Sequence, residues 1–468
     1  MKRLAVLPGE LDNRPWAPDS TLMSISDFHA WWAQRMAAGH FSVERKPLTA
    51  LKDWHFESDT GNLAHASGRF FTIEGLQIRS GGVETGSQPI INQPEIGILG
   101  IVVKEFDGVL HCLMQAKMEP GNVNTLQLSP TVQATRSNYT QVHKGSTTRY
   151  LEYFVGPGRG QVLVDVLQSE QGAWFWRKRN RNMVVLVTGD VEVHEDYCWL
   201  SLAQIGELTQ VDNLVNMDAR TVLSCMPFSL PGEADAPTGD DFRDALIRSY
   251  QYQPDRSAPA RHTAGEILSW FTEAKTRCDW SARLVPLAKV SGWTRGEHEI
   301  ADHEERSFRI IGVEVEAGTR EVKSWQQPLL YPRGEGHAAF VARPIDGVLH
   351  LLVQARPEYG LMDMVEMSPT IQLHPGQTVS DIKEPFLRDL LVSGGGTTHY
   401  DRMLSEEGGR FYNALTRYQL IEVGQDFPVD VPPNFCWMTV RQLIDLLRHG
   451  HYLNIEARSL LACIHSLS

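Results

Sequence analysis

Apolar and polar residues alternate along Val109 to Lys117. Leu110, Cys112, Met114 and Ala116 fall on one face, and His111, Leu113, Gln115 and Lys117 on the other. That is the two-residue period of a half-buried strand. The pattern returns from Thr125 to Ala134: Thr125, Gln127, Ser129, Thr131 and Gln133 look one way, Leu126, Leu128 and Val132 the other. Glu119-Pro120-Gly121-Asn122 between them reads as a hairpin loop. Elsewhere the period is helical. Ser26 to Ala38 carries Phe28, Trp31, Trp32 and Met36 at helical spacing behind a Ser/Asp cap, and Glu266 to Lys275 repeats it. Ser201 to Leu208 and Thr439 to Arg448 predict two more helices.

These patterns are written twice. Asp107 to Gln133 and Asp346 to Gln372 are identical at 14 of 27 positions without a gap, at an offset of 239. The same offset pairs Trp31 with Trp270, Pro47-Leu48 with Pro286-Leu287, Trp54 with Trp293 and Gln88-Pro89 with Gln327-Pro328. Further on, Ser169-Glu170-Gln171-Gly172 aligns with Ser405-Glu406-Glu407-Gly408 at 236. Cys198-Trp199 aligns with Cys436-Trp437, and Asn216, Ala219, Arg220 and Cys225 with Asn454, Ala457, Arg458 and Cys463, at 238. Self-similarity of this length marks a tandem duplication. The expectation is a 1–19 extension, related α+β domains over 20–228 and 263–468, and an exposed Pro/Gly/acidic connector over 229–262 around one short helix near Phe242 to Tyr250. The repeated tryptophans and Cys-Trp pairs read as core.

Composition narrows the function. The 468 residues carry 44 Lys and Arg against 57 Asp and Glu, a net charge of −13. Such a chain lacks the broad positive field of a nucleic-acid or anionic-membrane binder, so a bound phosphate needs a few local cations. No apolar run approaches the roughly 20 residues of a membrane span. With no signal-peptide core near Met1, the chain reads as soluble and cytoplasmic. Six cysteines without a Cys-x-x-Cys pair imply neither a disulfide framework nor a zinc site, and read as buried thiols.

Duplication also changes the reading of the polar strand face. In one copy, a solvated face explains the alternation. Here His111, Gln115, Ser129, Thr131 and Gln133 recur as His350, Gln354, Ser368, Thr370 and Gln372. Lys117 recurs as Arg356, and Glu119 in the loop as Glu358. A shared cleft follows, in which amides and hydroxyls read a hydroxylated ligand and Lys or Arg meets a phosphate. Beyond Gln133 the first copy holds Arg136, Asn138, Tyr139, His143, Lys144, Arg149 and Tyr153, while the second holds Pro375, Gly376, Asp381, Glu384 and Asp389. The first is the pocket expected to act on a nucleotide diphosphate. Neither a Gly-x-Gly-x-x-Gly nor a P-loop motif occurs. The Ser-Glu-x-Gly stretches read as helix ends. They match only the tail of the Arg-Glu-x-x-Glu-Glu-x-Gly box that holds magnesium in Nudix hydrolases, so no metal site is expected.

At Leu126 to Tyr139 (LQLSPTVQATRSNY) and Leu404 to Tyr418 (LSEEGGRFYNALTRY) the chain resembles the NDP-hexose 2,3-dehydratases, over residues 20–468. The resemblance implies a double Nudix-like fold, a homodimer, and a lyase acting on a dTDP-linked 4-keto-6-deoxyhexose without cofactor in deoxysugar (antibiotic sugar) biosynthesis. In that chemistry a base removes the C3 proton, acidified by the C4 carbonyl; the C2 hydroxyl then leaves with help from an acid, and the enol relaxes to a 3,4-diketone. His65, His111, Glu119 and Tyr139 are the candidates for proton transfer, and Lys117 for the charge on the enolate. Gln115, Ser129, Thr131, Gln133 and Asn138 would orient the sugar. Arg136 and Arg149 would hold the diphosphate, with Tyr153 or Trp54 on the base. The second half departs from the pattern, with Gly376-Gln377-Thr378 where an Asn-Tyr pair would parallel Asn138-Tyr139. A magnesium-dependent nucleotide-sugar hydrolase and a non-catalytic binding module are the rival readings.

Overall fold

The computed structural model describes residues 22–135, 148–156, 160–226, 238–251, 260–318 and 323–467. The first half runs α1 (Ile25–Ala38), β1 (Phe41–Lys46), β2 (Trp54–Phe56), β3 (Leu63–His65), β4 (Thr72–Ser80), β5 (Val83–Asn92), β6 (Gly97–Phe106), β7 (Val109–Met118), β8 (Leu126–Ser129), β9 (Val132–Ala134), β10 (Gln161–Ser169), β11 (Arg179–Leu186), β12 (Tyr197–Ser201), α2 (Leu202–Leu208) and α3 (Met217–Ser224). After α4 (Asp241–Gln251) the order repeats as α5 (Ala264–Arg277), β13 (Trp280–Val285), β14 (Trp293–Arg295), β15 (Glu299–Asp302), β16 (Phe308–Ala317), β17 (Ser324–Pro332), β18 (Gly336–Ile345), β19 (Val348–Pro357), β20 (Val365–Ser368) and β21 (Ile371–Leu373). It then continues through α6 (Pro385–Ser393), β22 (Thr397–Ser405), β23 (Leu415–Glu422), β24 (Phe435–Thr439), α7 (Val440–Leu446) and α8 (Ile455–Ile464). Capping boxes at Ser24/Asp27 and Thr263/Glu266 start α1 and α5, which bury Phe28 and Trp32, and Ile267 and Phe271, on one side.

Each half holds a seven-stranded mixed sheet, ordered β10-β11-β6-β7-β12 in the first and β22-β23-β18-β19-β24 in the second, with β11 and β23 parallel to their neighbours β6 and β18. The alternation of β7 is realised. Leu110, Cys112, Met114 and Ala116 pack under α1 to α3, and Leu113 packs on the opposite face with Val102, Val132, Tyr150 and Trp199. The expected second strand is in fact two. β8 pairs with the end of β7 and β9 with the start of β6, so both fill the fork where the β6–β7 hairpin splays open. The break falls at Pro130, which has no N–H to offer a ladder. Next to it, Thr131 Oγ1 accepts from Val102 N (2.9 Å) and donates to Leu113 O (2.5 Å), closing the fork. Thr370 repeats this between Val341 and Leu352.

The two halves exchange a strand. β1 pairs antiparallel with β16 of the second half, and β13 with β4 of the first. Each smaller five-stranded sheet therefore contains strands from both repeats. The exchange means that the sequence boundary does not separate two free-standing sheets. The connector also differs from its expected exposed form: α4 buries Phe242, Ala245, Leu246 and Tyr250 in the second-half core, and Ser249 Oγ accepts from Val440 N at 2.8 Å. The halves also close on helices absent from the sequence reading, α3 and α8, which pack against each other.

Trp31 and Trp270 are only half-buried. Each gives its indole N–H to a loop carbonyl, Glu195 O and Pro433 O respectively, at 2.9 Å. Five cysteines are buried and Cys278 is half-buried, all as free thiols. No helix among the described residues is long and apolar enough to cross a membrane.

Candidate active site

The end of β7, the loop after it and β9 bring one polar group together. Lys117 Nζ lies 3.5 Å from Glu119 Oε1 and 3.4 Å from Gln133 O; Gln133 Nε2 donates to Glu119 Oε1 at 2.9 Å. Gln133 Oε1 accepts from Ser129 Oγ (3.2 Å) and from Asn216 Nδ2 (3.4 Å) at the cap of α3. The second copy rebuilds this group. Gln372 Nε2 donates to Glu358 Oε1 and Asn454 Nδ2 to Gln372 Oε1, both at 2.8 Å, with Arg356 Nε 3.7 Å from Glu358. Ser368 there turns its Oγ to Pro369 O (3.0 Å). Gln115 and Gln354 sit one step along their strands, half-buried.

Each group is completed from the other half. Gly121 N donates to Gly408 O and Asn413 N to Gly121 O, both at 2.7 Å, so the loop after β7 is laced to the Ser405–Asn413 stretch of the second repeat. Gly360 makes the mirror pair with Gly172 and Arg177. Arg220 and Arg458, both fully buried, fix these crossings. Arg220 holds Val215 O (2.6 Å) and Ser405 O (2.8 Å), and Arg458 holds Leu453 O (2.6 Å) and Ser169 O. A Cβ on Gly121 would stand 1.6 Å from Phe411 O. Gly121→Ala is therefore expected to force the laced loops apart. A destabilisation of about 2 kcal/mol or more should appear in the denaturation midpoint, together with a loss of turnover.

The crossing places Glu407 beside Glu119 and Asp218, with one oxygen from each within 4.8 Å of the others. Glu170 and Lys178 of the first half and Arg410 of the second complete the charges, while Arg410 also stacks over Phe71 at 4.4 Å. Burial, then the like charge of Glu119, pushes the Glu407 carboxyl up to about 7 against the pull of Arg410. Burial, reinforced by Glu407 and Glu170, holds Asp218 well above the usual carboxylate range. Burial brings Lys178 down to about 8, opposed by Glu170. Glu170 Oε2, Asp218 Oδ1 and Glu407 Oε2 have no hydrogen-bond partner among the described residues. Buried, unpartnered carboxyls with raised proton affinity beside a lysine are equipment for moving protons on a polar ligand.

The second group is built otherwise. Gln171 stands at the position of Glu407, Trp174 at that of Arg410 and Ala414 at that of Lys178. Gln171 Nε2 donates to Glu406 Oε2 at 2.8 Å. Burial opposes the charge on Glu358, but the His374 hydrogen bond and Arg356 hold its carboxyl below the ordinary range. The cavity left among Gln171, Trp174, His374, Glu406 and Glu456 is about 10 Å³, room for little more than a water.

Several expected residues lie elsewhere. His111 is fully buried six residues up β7 from Lys117, about 20 Å away at strand spacing. Its Nδ1 is bonded to Val109 O at 2.9 Å. His350 does the same with Val348 O, and its Nε2 accepts from Arg261 N (3.1 Å). Both histidines brace the strand and do not reach the carboxyl group. Thr131 and Thr370 have their hydroxyls committed to the backbone fork. Trp54 is core, its indole N–H on Gln326 O (2.9 Å), which removes it from base stacking. His65 packs edge-on against Trp54 and Phe70, with Nδ1 2.8 Å from Ser67 Oγ. Arg149 is exposed next to Tyr150, and Tyr153 is half-buried against Tyr150 on the face of Leu113 and Val102. Arg136, Asn138 and Tyr139, with His143 and Lys144, fall outside the described residues; the chain enters that stretch directly after Thr135.

Glu170, Lys178, Asp218, Glu407 and Arg410 were missed. The signal was available for three of them, in the repeated Ser-Glu-x-Gly and in Asn-x-Asp/Glu-Ala-Arg at 216–220 and 454–458.

A family model described as NDP-hexose 2,3-dehydratase matches residues 25–226 and 264–464. The chain belongs to that family. Among this family's curated members, the dTDP-4-dehydro-6-deoxy-alpha-D-glucopyranose 2,3-dehydratase of Saccharopolyspora spinosa is 52% identical over 453 residues, covering 95% of this chain and 92% of that protein. Proteins of the same name from Streptomyces violaceoruber and Amycolatopsis orientalis are 49% and 46% identical, over 95% and 96% of this chain and 98% and 92% of theirs. The 2,3-dehydratase family is thus matched in both repeats, and the departures of the second group lie within a matched segment.

Proposed function

We propose that this chain removes water across C2–C3 of dTDP-4-keto-6-deoxy-D-glucose to give the dTDP-3,4-diketo-2,6-dideoxy sugar, in the first-half site, as a step toward deoxysugars of antibiotics. The observation that carries the reading is the meeting of Lys117 with the clustered carboxyls of Glu119, Asp218 and Glu407 in a chain of this family. The protein works in the cytoplasm as a homodimer, and each repeat is a Nudix-like domain.

The chemistry asks for a charge at the C4 oxygen when the C3 proton leaves, and the Lys117 ammonium supplies it. Gln133, fixed from three sides by Glu119, Ser129 and Asn216, keeps its amide oriented toward a sugar hydroxyl. Arg136, Asn138 and Tyr139 come directly after Thr135 in the sequence; in this reading Asn138 orients the sugar, Tyr139 takes part in proton transfer, Arg136 and Arg149 hold the diphosphate, and Tyr153 meets the base.

Incubation with dTDP-4-keto-6-deoxy-D-glucose in EDTA, with chemical trapping of the product and mass analysis, tests this. The expected product is the diketone still carrying its nucleotide, formed at full rate because Lys117 provides the positive charge. Activity lost in EDTA and restored by magnesium would assign the three carboxylates to a metal. Release of nucleotide would support the hydrolase, and binding without conversion the module.

A further inference from the structure

We propose that Glu407, delivered by the second repeat, is the general base that takes the C3 proton in the first-half site. The inference rests on the dehydratase reading above. It explains why a chain with one working site keeps two repeats, since the second repeat supplies the base that the first lacks.

Geometry carries it. Glu407 Oε1 is anchored by Gly409 N–H at 2.9 Å, which leaves Oε2 without a partner among the described residues. As a whole residue Glu407 is half-buried, whereas Glu119 and Asp218 are buried, while its unpartnered Oε2 is enclosed at the carboxyl cluster. The groups facing it are Glu119, Glu170, Asp218, Arg410 and Lys178. The duplication adds an internal comparison. The reciprocal position holds Gln171, whose amide cannot accept a proton to become a neutral acid.

The step balances. The C3–H bond breaks, its proton goes to Glu407, and its electron pair enters the enolate with C4. The C2–O bond then breaks, and the hydroxyl leaves as water with a proton from the Asp218 carboxyl, whose proton affinity burial raises. Glu407 returns its proton to Asp218 across the carboxyl group, whose oxygens are within 4.8 Å. The C3 enol relaxes to the ketone, losing its hydroxyl proton as C2 gains one.

The test is Glu407→Gln and Glu407→Asp in the full chain, assayed for trapped diketone and for binding of dTDP-4-keto-6-deoxy-D-glucose. Glu407→Gln should lower kcat at least about 100-fold with KM changed only a few-fold. Glu407→Asp should keep part of the rate. In the wild-type protein a base at about 7 makes kcat/KM fall as pH drops below that value, because the carboxylate is then protonated; this acid limb should move in Glu407→Asp. Three results would overturn the proposal: near-normal kcat in Glu407→Gln, activity lost only in step with substrate binding, or an unmoved acid limb in Glu407→Asp. If the wild-type protein makes no diketone, the dehydratase reading fails first, and separately.

Discussion

Lys117→Met should reduce diketone formation by about 10²- to 10³-fold, the usual cost of removing a donor from a developing oxyanion. Folding should be unaffected. The ammonium lies at the partly open end of β7, 15% exposed, and its partners include Glu119 Oε1 and the Gln133 carbonyl. Glu119 keeps a donor without it, because Gln133 Nε2 still donates to Glu119 Oε1. The methionine keeps the stem that packs beside the strand. Lys117→Arg should recover part of the rate, since the second repeat carries Arg356 in the same place against Glu358. Trapped product measured against an unchanged thermal midpoint checks this. Full activity in Lys117→Met would remove the first-half group from the mechanism.

Arg220→Met should damage both fold and turnover. The guanidinium is fully buried and bridges the Val215 and Ser405 carbonyls, one from each half. Two buried carbonyls left without a donor cost about 1–3 kcal/mol each. A denaturation midpoint lowered by the equivalent of roughly 4 kcal/mol is expected. Ser405 is also two residues before Glu407, so activity should fall by more than the loss of folded protein. Arg458→Met should cost similar stability through Ser169 and lower turnover by less, because the loop it holds carries Glu170, which flanks Glu407, and not Glu407 itself. Activity per folded molecule, compared between the two variants, separates the effects. Equal losses would mean that the clamp does not position Glu407.

The contrast between Lys117 and His111 shows what the strand pattern could say. Alternation correctly put both on one face of β7, because a pleated strand has only two faces. It could not say that six residues of rise separate them, or that one end of that face is sealed by Phe106 and Trp199. Thr131 misled for a related reason. A polar residue recurring in both copies reads as a ligand contact, but a splayed hairpin needs a hydroxyl at its fork just as much. Glu407 stands in the Ser-Glu-x-Gly repeat, but no local pattern joins it to Glu119 and Asp218, which lie 288 and 189 residues earlier in the chain.

The sequence by itself determined that the protein is a duplication, where helices α1, α2, α5 and α7 and strand β7 fall, which face of that strand is polar, and, through its long motifs, the family. These follow from local period and from self-comparison, which require no knowledge of distant contacts. Only the tertiary structure decided that the repeats exchange β1 and β13, and that each site is finished by a loop from the opposite half. It also decided that one site thereby gains a third carboxylate while the other gains an amide and a tryptophan. Those outcomes depend on pairings across about two hundred residues, and hydrogen bonding between backbone groups leaves no trace in the side-chain pattern that a sequence displays.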